Sequence, residues 1–397
     1  MSKHAVFSAS SAERWINCPG SVHMASMFPE GRSAAADEGT LAHELAALDI
    51  GYLDNDLVSG DQAYMKAINE LTQEIETFYS LHPDMNGSFE DMKRTLAPYV
   101  DYVLAEYNEI QKADPSAVLL TEQRVDYSHI VPDGFGTSDV IIIGDNRVIV
   151  IDLKYGKGIP VSAVDNPQIR LYAIGAINLY DMLYDFDRVK MVIYQPRLNS
   201  VTEEELPVDD LKAWADAVVK PAAKKAASED PPYYPGPWCA SHFCPGAGVC
   251  KKRADYFMGL ERHSGKDPAL LTDAELSECL AKAESLQKWA KALSNYALGE
   301  MQTGHSIPGW KIVEGRSIRA YTDMEKVADA AMKAGYPEAM IYTRSLIGIT
   351  DMEKLMGKKK FQEVIGPLVE KPQGAPKLAP ESDKRPAFNA AKADFED

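Results

Sequence analysis

The chain has 397 residues, 45% hydrophobic and 25% charged, with a net charge of −17. That make-up suits a folded protein with room for one large domain and a smaller one, and it excludes a disordered chain. It also excludes a protein that coats nucleic acid with a basic surface, because such binding draws on counterion release at Lys and Arg, but an enzyme with a local basic groove stays open.

The opening MSKHAVFSAS lacks the basic-then-apolar layout of a secretory signal. No apolar run reaches bilayer length, so a cytoplasmic protein with no membrane partner is expected. After a Ser-rich start, apolar residues recur at helical spacing from Asp37 to Leu48, and again from about Asp61 to Gln111. Val118 to Val125 alternates weakly. Two β-branched runs, VIII and VIVI, then flank Gly144-Asp145-Asn146, which is a hairpin signal. A helix from Pro167 to Tyr180, a strand from Lys190 to Tyr194 and a lysine-bearing helix from Val208 to Ala227 follow. The alternation of helices and strands predicts an α/β or α+β fold.

The Pro-rich SEDPPYYPGPW reads as a covering loop that ends at a cysteine cluster. The main domain is expected to span 1–260. A helical and hairpin region covers 261–370, with an amphipathic helix from Leu271 to Met301 and a small hairpin in IPGWKIVEGRSIRAY, and an extended tail covers 371–397.

The informative stretch is GFGTSDVIIIGDNRVIVIDLKYGKG, residues 134–158. With Asp145-Asn146 as a two-residue turn, Asp139 faces Asp152 across the ladder, with β-carbons roughly 5 Å apart. Carboxylates that close repel unless a proton or cation lies between them, and hard oxygen donors favour Mg²⁺ or Mn²⁺. Lys154 emerges on the same face as Asp152, while Leu153 points into the core. A surface hairpin with solvated acids is the ordinary alternative, but strands apolar on both faces indicate a central position.

Asp139, Asp152-Leu153-Lys154 and Gln168-Ile169-Arg170-Leu171-Tyr172 resemble the PD-(D/E)XK nuclease superfamily, and in particular its RecB-like branch with a Q-x-x-x-Y helix. The usual Glu of the motif is Asp152 here. The resemblance implies a restriction-endonuclease-like core, a central mixed sheet flanked by helices. It implies that Asp139 and Asp152 bind the divalent metal with the carbonyl of Leu153, that Lys154 positions the nucleophile, and that Gln168 and Tyr172 form an active-site edge. GTLAH resembles the first motif of the branch, which gives His43 the remaining place in the metal shell. Glu122, just before the GTSD strand, is a weaker candidate beside it.

Of the five cysteines, Cys279 in LSECLAKA reads as packing. Cys18 followed far downstream by Cys239, Cys244 and Cys250 resembles the iron–sulfur nucleases of the AddB type and the related CRISPR-associated exonucleases. The implied cofactor is a [4Fe–4S] cluster that closes a very long loop, a staple and not a catalyst. Those relatives space the last three cysteines as C-x2-C-x5-C, whereas the first gap here is four residues, so Cys239 fits least well and His242 is an alternative donor. Zn²⁺ suits the same ligands.

The order of motifs from SASSAERW to APESDKRPAF resembles a phage-encoded family of unknown function within this superfamily. The resemblance implies a replication or recombination exonuclease, with DNA as substrate and a single-strand-binding or annealing protein as partner. Basic residues for a DNA path are Lys212, Lys220, Lys224 and Lys225, then Lys251, Lys252 and Arg253, and the Lys358-Lys359-Lys360 run. The alternative from another class is a non-catalytic DNA-binding or scaffold protein that keeps the fold. The full set of acids and lysine weighs against it.

Overall fold

The structure, a computed structural model, describes residues 5–29, 33–54, 62–263, 271–313, 324–335, 337–342 and 348–369. The expected tail and its APESDKRPAF motif lie outside these residues. So does most of the expected hairpin, and its described part, up to residue 313, contains no strand. By compactness the chain divides into residues 1–312 and 313–397, so the long amphipathic helix groups with the first unit and not, as expected, with the region after 260.

The first unit is built on one mixed five-stranded sheet, β1 (Val118–Asp126), β2 (Phe135–Gly144), β3 (Arg147–Leu153), β4 (Arg188–Gln195) and β5 (Ser200–Pro207), lying side by side in chain order. Neighbours are antiparallel except β3 and β4, which are parallel. That parallel pair needs a crossover, and the helix from Pro167 to Tyr180 supplies it. β5 escapes a sequence reading because its centre, Thr202 to Glu205, has no apolar residue, as suits an edge strand.

Helices cover both faces. Strand alternation sends Ile141, Ile143, Val148 and Val150 into one core, with α1 (Ala12–Asn17), α6 (Pro167–Tyr180), α7 (Val208–Trp214) and α8 (Lys220–Ala226). Val140, Ile142, Ile149 and Ile151 point into the other, beneath α3 (Ala34–Asp54), α4 (Gln62–Leu81) and α5 (Phe89–Ala113). The remaining helix before the sheet and those after it in this unit are α2 (Gly20–Ser26), α9 (Trp238–Ser241), α10 (Lys251–Met258) and α11 (Asp273–Gln302). A π-helical turn, Ala215–Val219, interrupts the helix expected from Val208 to Ala227. The second unit is helical, with α12 (Met324–Lys333), α13 (Glu338–Ile341), α14 (Ile349–Met356) and α15 (Lys358–Val364). No described helix is long and apolar enough to cross a membrane.

Candidate active site

The β2–β3 turn sets the geometry. Asp145 and Asn146 both adopt left-handed φ, 51° and 57°, as a two-residue hairpin turn twisted to match its strands requires. Gly144 therefore pairs with Arg147 and Val140 with Ile151, which brings Asp139 opposite Asp152 one step further on. On its other side Asp139 lies opposite Glu122, because β1 pairs Thr121 with Val140 and Gln123 with Ser138. Glu122 itself has φ 48°, a left-handed conformation inside a strand that keeps its register on both sides. Such backbone strain concentrates at functional sites. Three acids thus form a row across three adjacent strands.

Each acid has distinct partners. Asp139 accepts the Leu153 N–H on Oδ2 at 2.7 Å, and its Oδ1 meets His43 Nδ1 at 3.1 Å. His43 arrives from α3, on the opposite side of the sheet from α6. Asp152 is buried: Gln168 Nε2 donates to its Oδ1 at 3.2 Å, and the Lys154 ammonium lies 2.9 Å from Oδ2. That Oδ2 has no partner in hydrogen-bonding geometry. Lys154 also donates to Gln168 Oε1 at 3.0 Å, and Gln168 Nε2 reaches the Tyr172 hydroxyl at 3.3 Å.

The start of α6 fixes Gln168. Asn166 caps the helix by accepting from the N–H groups of Gln168 and Ile169, and Pro167 takes the first helical position, where no donor is needed. Tyr172 lies one turn on, and its ring crosses β2 at Gly136, where any β-carbon would come within 2.6 Å of it. The second glycine of GFGTSD is therefore a packing requirement.

The donor atoms of His43, Glu122 and Asp139 lie within 4.8 Å of one another, an arrangement compatible with a divalent metal. Asp152, expected as a ligand, is engaged with Lys154 and Gln168, and Glu122 stands in the group instead. The Asp139 carboxylate makes ionisation of its two acidic neighbours costlier. Burial raises the Asp152 carboxyl, with Lys154 opposing and Asp139 adding to the rise. Burial and the charge of Asp139 push Glu122 up to about 7. Burial disfavours charge on His43, yet the Asp139 carboxylate outweighs it and raises the imidazole to about 9. Tyr99, fully buried in α5, lines the pocket beside these groups, and burial followed by the three acid charges keeps its phenol protonated. Nothing in the sequence distinguishes Tyr99 from the other core tyrosines of its helix. Glu122 carried a signal, a break in the alternation of β1 opposite the GTSD acid.

The thiols converge from both ends of the first unit. Cys18 follows α1, Cys239 lies in α9 and Cys250 precedes α10. The Tyr234 N–H donates to Cys18 Sγ at 3.3 Å and the Gly236 N–H to Cys239 Sγ at 3.5 Å. Burial raises Cys18, with Cys239 and Cys250 adding to the rise. It pushes Cys244 up to about 11, with Arg14 opposing and with Cys239 and Cys18 adding. Among the described residues no three of these thiols lie within 4.8 Å of one another. His242 Nδ1 is paired with Ser241 Oγ at 2.9 Å, and Cys279 is half-buried in α11.

Arg253, expected on a DNA path, is not at the surface. It is 1% exposed and donates to the Ala247 carbonyl at 3.0 Å. Lys212 and Lys220 line a separate pocket with His129, on the α6 side. Lys358, Lys359 and Lys360 open α15 of the second unit.

Residues 4–386 match the family model described as "Protein of unknown function (DUF2800)". The chain belongs to the DUF2800 family. Two solved structures are also similar to this DUF2800 member. One is a protein from Eubacterium rectale provisionally named an exonuclease, 10% identical, with 68% of this chain and 92% of that one covered at a TM-score of 0.33. The other is SSO0001, 16% identical, covering 46% and 82% at a TM-score of 0.21. Overlap that slight carries no functional argument, and the reading below rests on the residues.

Proposed function

We propose that this protein is a divalent-cation-dependent deoxyribonuclease of the RecB-like branch, an exonuclease of phage replication or recombination working in the host cytoplasm. The observation that carries the reading is the acid row Glu122, Asp139 and Asp152, with Lys154 held against it by Gln168. The donor set fits Mg²⁺ or Mn²⁺. Ligand atoms sharing a cation at about 2.1 Å lie no more than about 4.2 Å apart, close to the spread of His43, Glu122 and Asp139. The Oδ2 of Asp152, beside the Lys154 ammonium but without a partner in hydrogen-bonding geometry, is a further acceptor in the acid row. Leu153 aims its N–H at Asp139, and in an extended strand a residue's N–H and C=O point the same way, so its carbonyl is directed there too.

When bound, such a cation supplies Lewis-acid polarisation of a phosphoryl oxygen and a lowered pKa for water. Lys154 then orients the attacking water and offsets negative charge growing on the phosphate. Gln168 keeps the ammonium aimed, and Tyr172 fixes Gln168 from one turn along α6.

For Cys18, Cys239, Cys244 and Cys250 we propose a [4Fe–4S] cluster in preference to zinc. A zinc ion with sulfur ligands at 2.3 Å needs thiolates about 3.8 Å apart. The four thiols share one region and feel each other's charge, yet among the described residues no three of them lie within 4.8 Å of one another. Bound there, the cluster ties α1 to the 239–250 segment. A phage single-strand-binding or annealing protein remains the partner that the resemblance implies.

The test incubates the purified full chain with end-labelled linear DNA and Mg²⁺ or Mn²⁺. Cation-dependent loss of label is expected, reduced by about 10²–10³-fold in Lys154→Ala and further in Asp152→Asn. No cation-dependent hydrolysis under any of these conditions would leave a fold-retaining scaffold as the better reading.

A further inference from the structure

Three partners of the acid row, His43, Lys154 and Gln168, line a cleft of about 910 Å³. One wall is the Gly156–Asn166 loop and the other is Ser241–Phe243, from the cysteine segment. We propose that this cleft binds the unpaired end of a DNA strand, with Phe243 as the platform on which a base stacks. The proposal takes its substrate from the nuclease reading and adds strand preference and the residue that sets it.

Phe243 is 79% exposed, so it does no core packing. Its φ is 48°, a costly conformation for a bulky residue. Fixed hydrogen bonds hold it there: Arg14 Nη1 donates to the carbonyls of His242 and Phe243 at 3.2 and 3.3 Å, and the Cys244 N–H donates to the Cys239 carbonyl at 3.3 Å. The chain thus spends backbone strain to keep an aromatic ring in solvent at the edge of the cleft. The loop wall presents Ile159 and Val164, 61% and 54% exposed.

Charge decides between single strand and duplex. Lys154 and Lys157 on the lining are offset by Glu13 and Asp165, with the raised imidazole of His43 as a further cation. A duplex is held chiefly through many phosphate contacts from basic groups, and its base faces are covered by stacking. A cleft with so few basic groups and with exposed apolar and aromatic ones suits bases whose faces are free, and base–aromatic stacking tolerates any sequence. At about 910 Å³ the space takes a few nucleotides.

The experiment measures binding of a 20-nucleotide single strand and a blunt 20-base-pair duplex by anisotropy, with Ca²⁺ in place of Mg²⁺ and 2-aminopurine near the strand end. Stacking is expected to quench the probe, and the wild type should prefer the single strand. Phe243→Ala should weaken single-strand binding about 5- to 100-fold, the range for loss of one stack, and leave duplex binding unchanged. Phe243→Tyr should restore both affinity and quenching. Equal single-strand affinity in wild type and Phe243→Ala, or a wild type that prefers the duplex, overturns the proposal. Parallel Mn²⁺ digests separate the two readings. Hydrolysis with an unchanged KM in Phe243→Ala sinks the cleft and keeps the nuclease; quenching without hydrolysis in the wild type does the reverse.

Discussion

His43 reaches the acid row only if α3 is seated correctly, and a buried ion pair one turn earlier seats it. Glu38 is 3% exposed and accepts two hydrogen bonds from Arg197, at 2.8 and 2.5 Å, and one from the Tyr79 hydroxyl at 2.8 Å. The guanidinium also lies 3.8 Å from the centre of the Tyr155 ring. Arg197→Met leaves the Glu38 carboxylate buried with Tyr79 as its remaining donor among the bonds described, which costs about 3–5 kcal/mol, and loss of the cation–π contact adds about 1 kcal/mol. For a domain of ordinary stability, about 5–15 kcal/mol, that is a large fraction. Removing both charges in Glu38→Leu/Arg197→Met should recover most of the loss, since an apolar pair replaces a buried ion pair at little cost. Urea unfolding of wild type, both single variants and the double variant gives the coupling energy, and Mn²⁺ titration reports the seating of His43. A loss below about 1 kcal/mol in Arg197→Met, or a double variant as unstable as the worse single one, would refute the reasoning.

Further outcomes follow from the same geometry. His43 is raised from 6.5 to about 9 and Glu122 to about 7. A group raised in the folded state stabilises below its ordinary value and loses that contribution as pH climbs through the raised one. Metal-free wild type, relative to His43→Gln, should therefore lose melting temperature between about pH 6.5 and 9. Mn²⁺ affinity should rise over the same window as protons are displaced. A flat wild-type-minus-variant difference in thermal melts with EDTA would contradict this. Asn166→Ala should cost about 1 kcal/mol and lower kcat by loosening Gln168, which chemical denaturation and steady-state hydrolysis check together. Gly136→Ala should displace the Tyr172 ring and cost about 1–3 kcal/mol, readable in near-UV circular dichroism and unfolding midpoint. Anaerobic purification should yield a brown protein with about four iron atoms per chain, and a colourless, zinc-loaded one would replace the cluster assignment with zinc.

Much of this architecture could be read from residues alone, where local chemistry leaves one choice. Asp145-Asn146 demands a turn with two left-handed residues, and that turn dictates the pairing of Asp139 with Asp152. Asn166-Pro167 announces a helix start, which sets Gln168 and Tyr172 on one face. The rest depended on contacts distant in sequence. Glu122 joins the site through the β1–β2 register, Tyr99 through the packing of α5 under the sheet, and Arg253 is drawn inside by a carbonyl in the Cys244–Cys250 loop. No local pattern encodes those. A boundary near 260 is expected because a Pro-rich loop and a cysteine cluster look like an ending, whereas α11 returns to pack Trp289 against Phe257 and to donate from its indole to the Gly248 carbonyl, and by compactness it groups with the first unit.

The lateness in the chain of the segment around Phe243 has a consequence for biosynthesis. Every acid of the row has left the ribosome once residue 152 is out, but the second wall of the cleft and three of its four thiols come about 100 residues later. At about 5–20 residues per second the gap is roughly 5–20 s. If the proposed nuclease function holds, a nascent chain would over that interval carry the chemistry of hydrolysis without the surface proposed to grip a strand, and would gain that surface only once residue 243 has emerged.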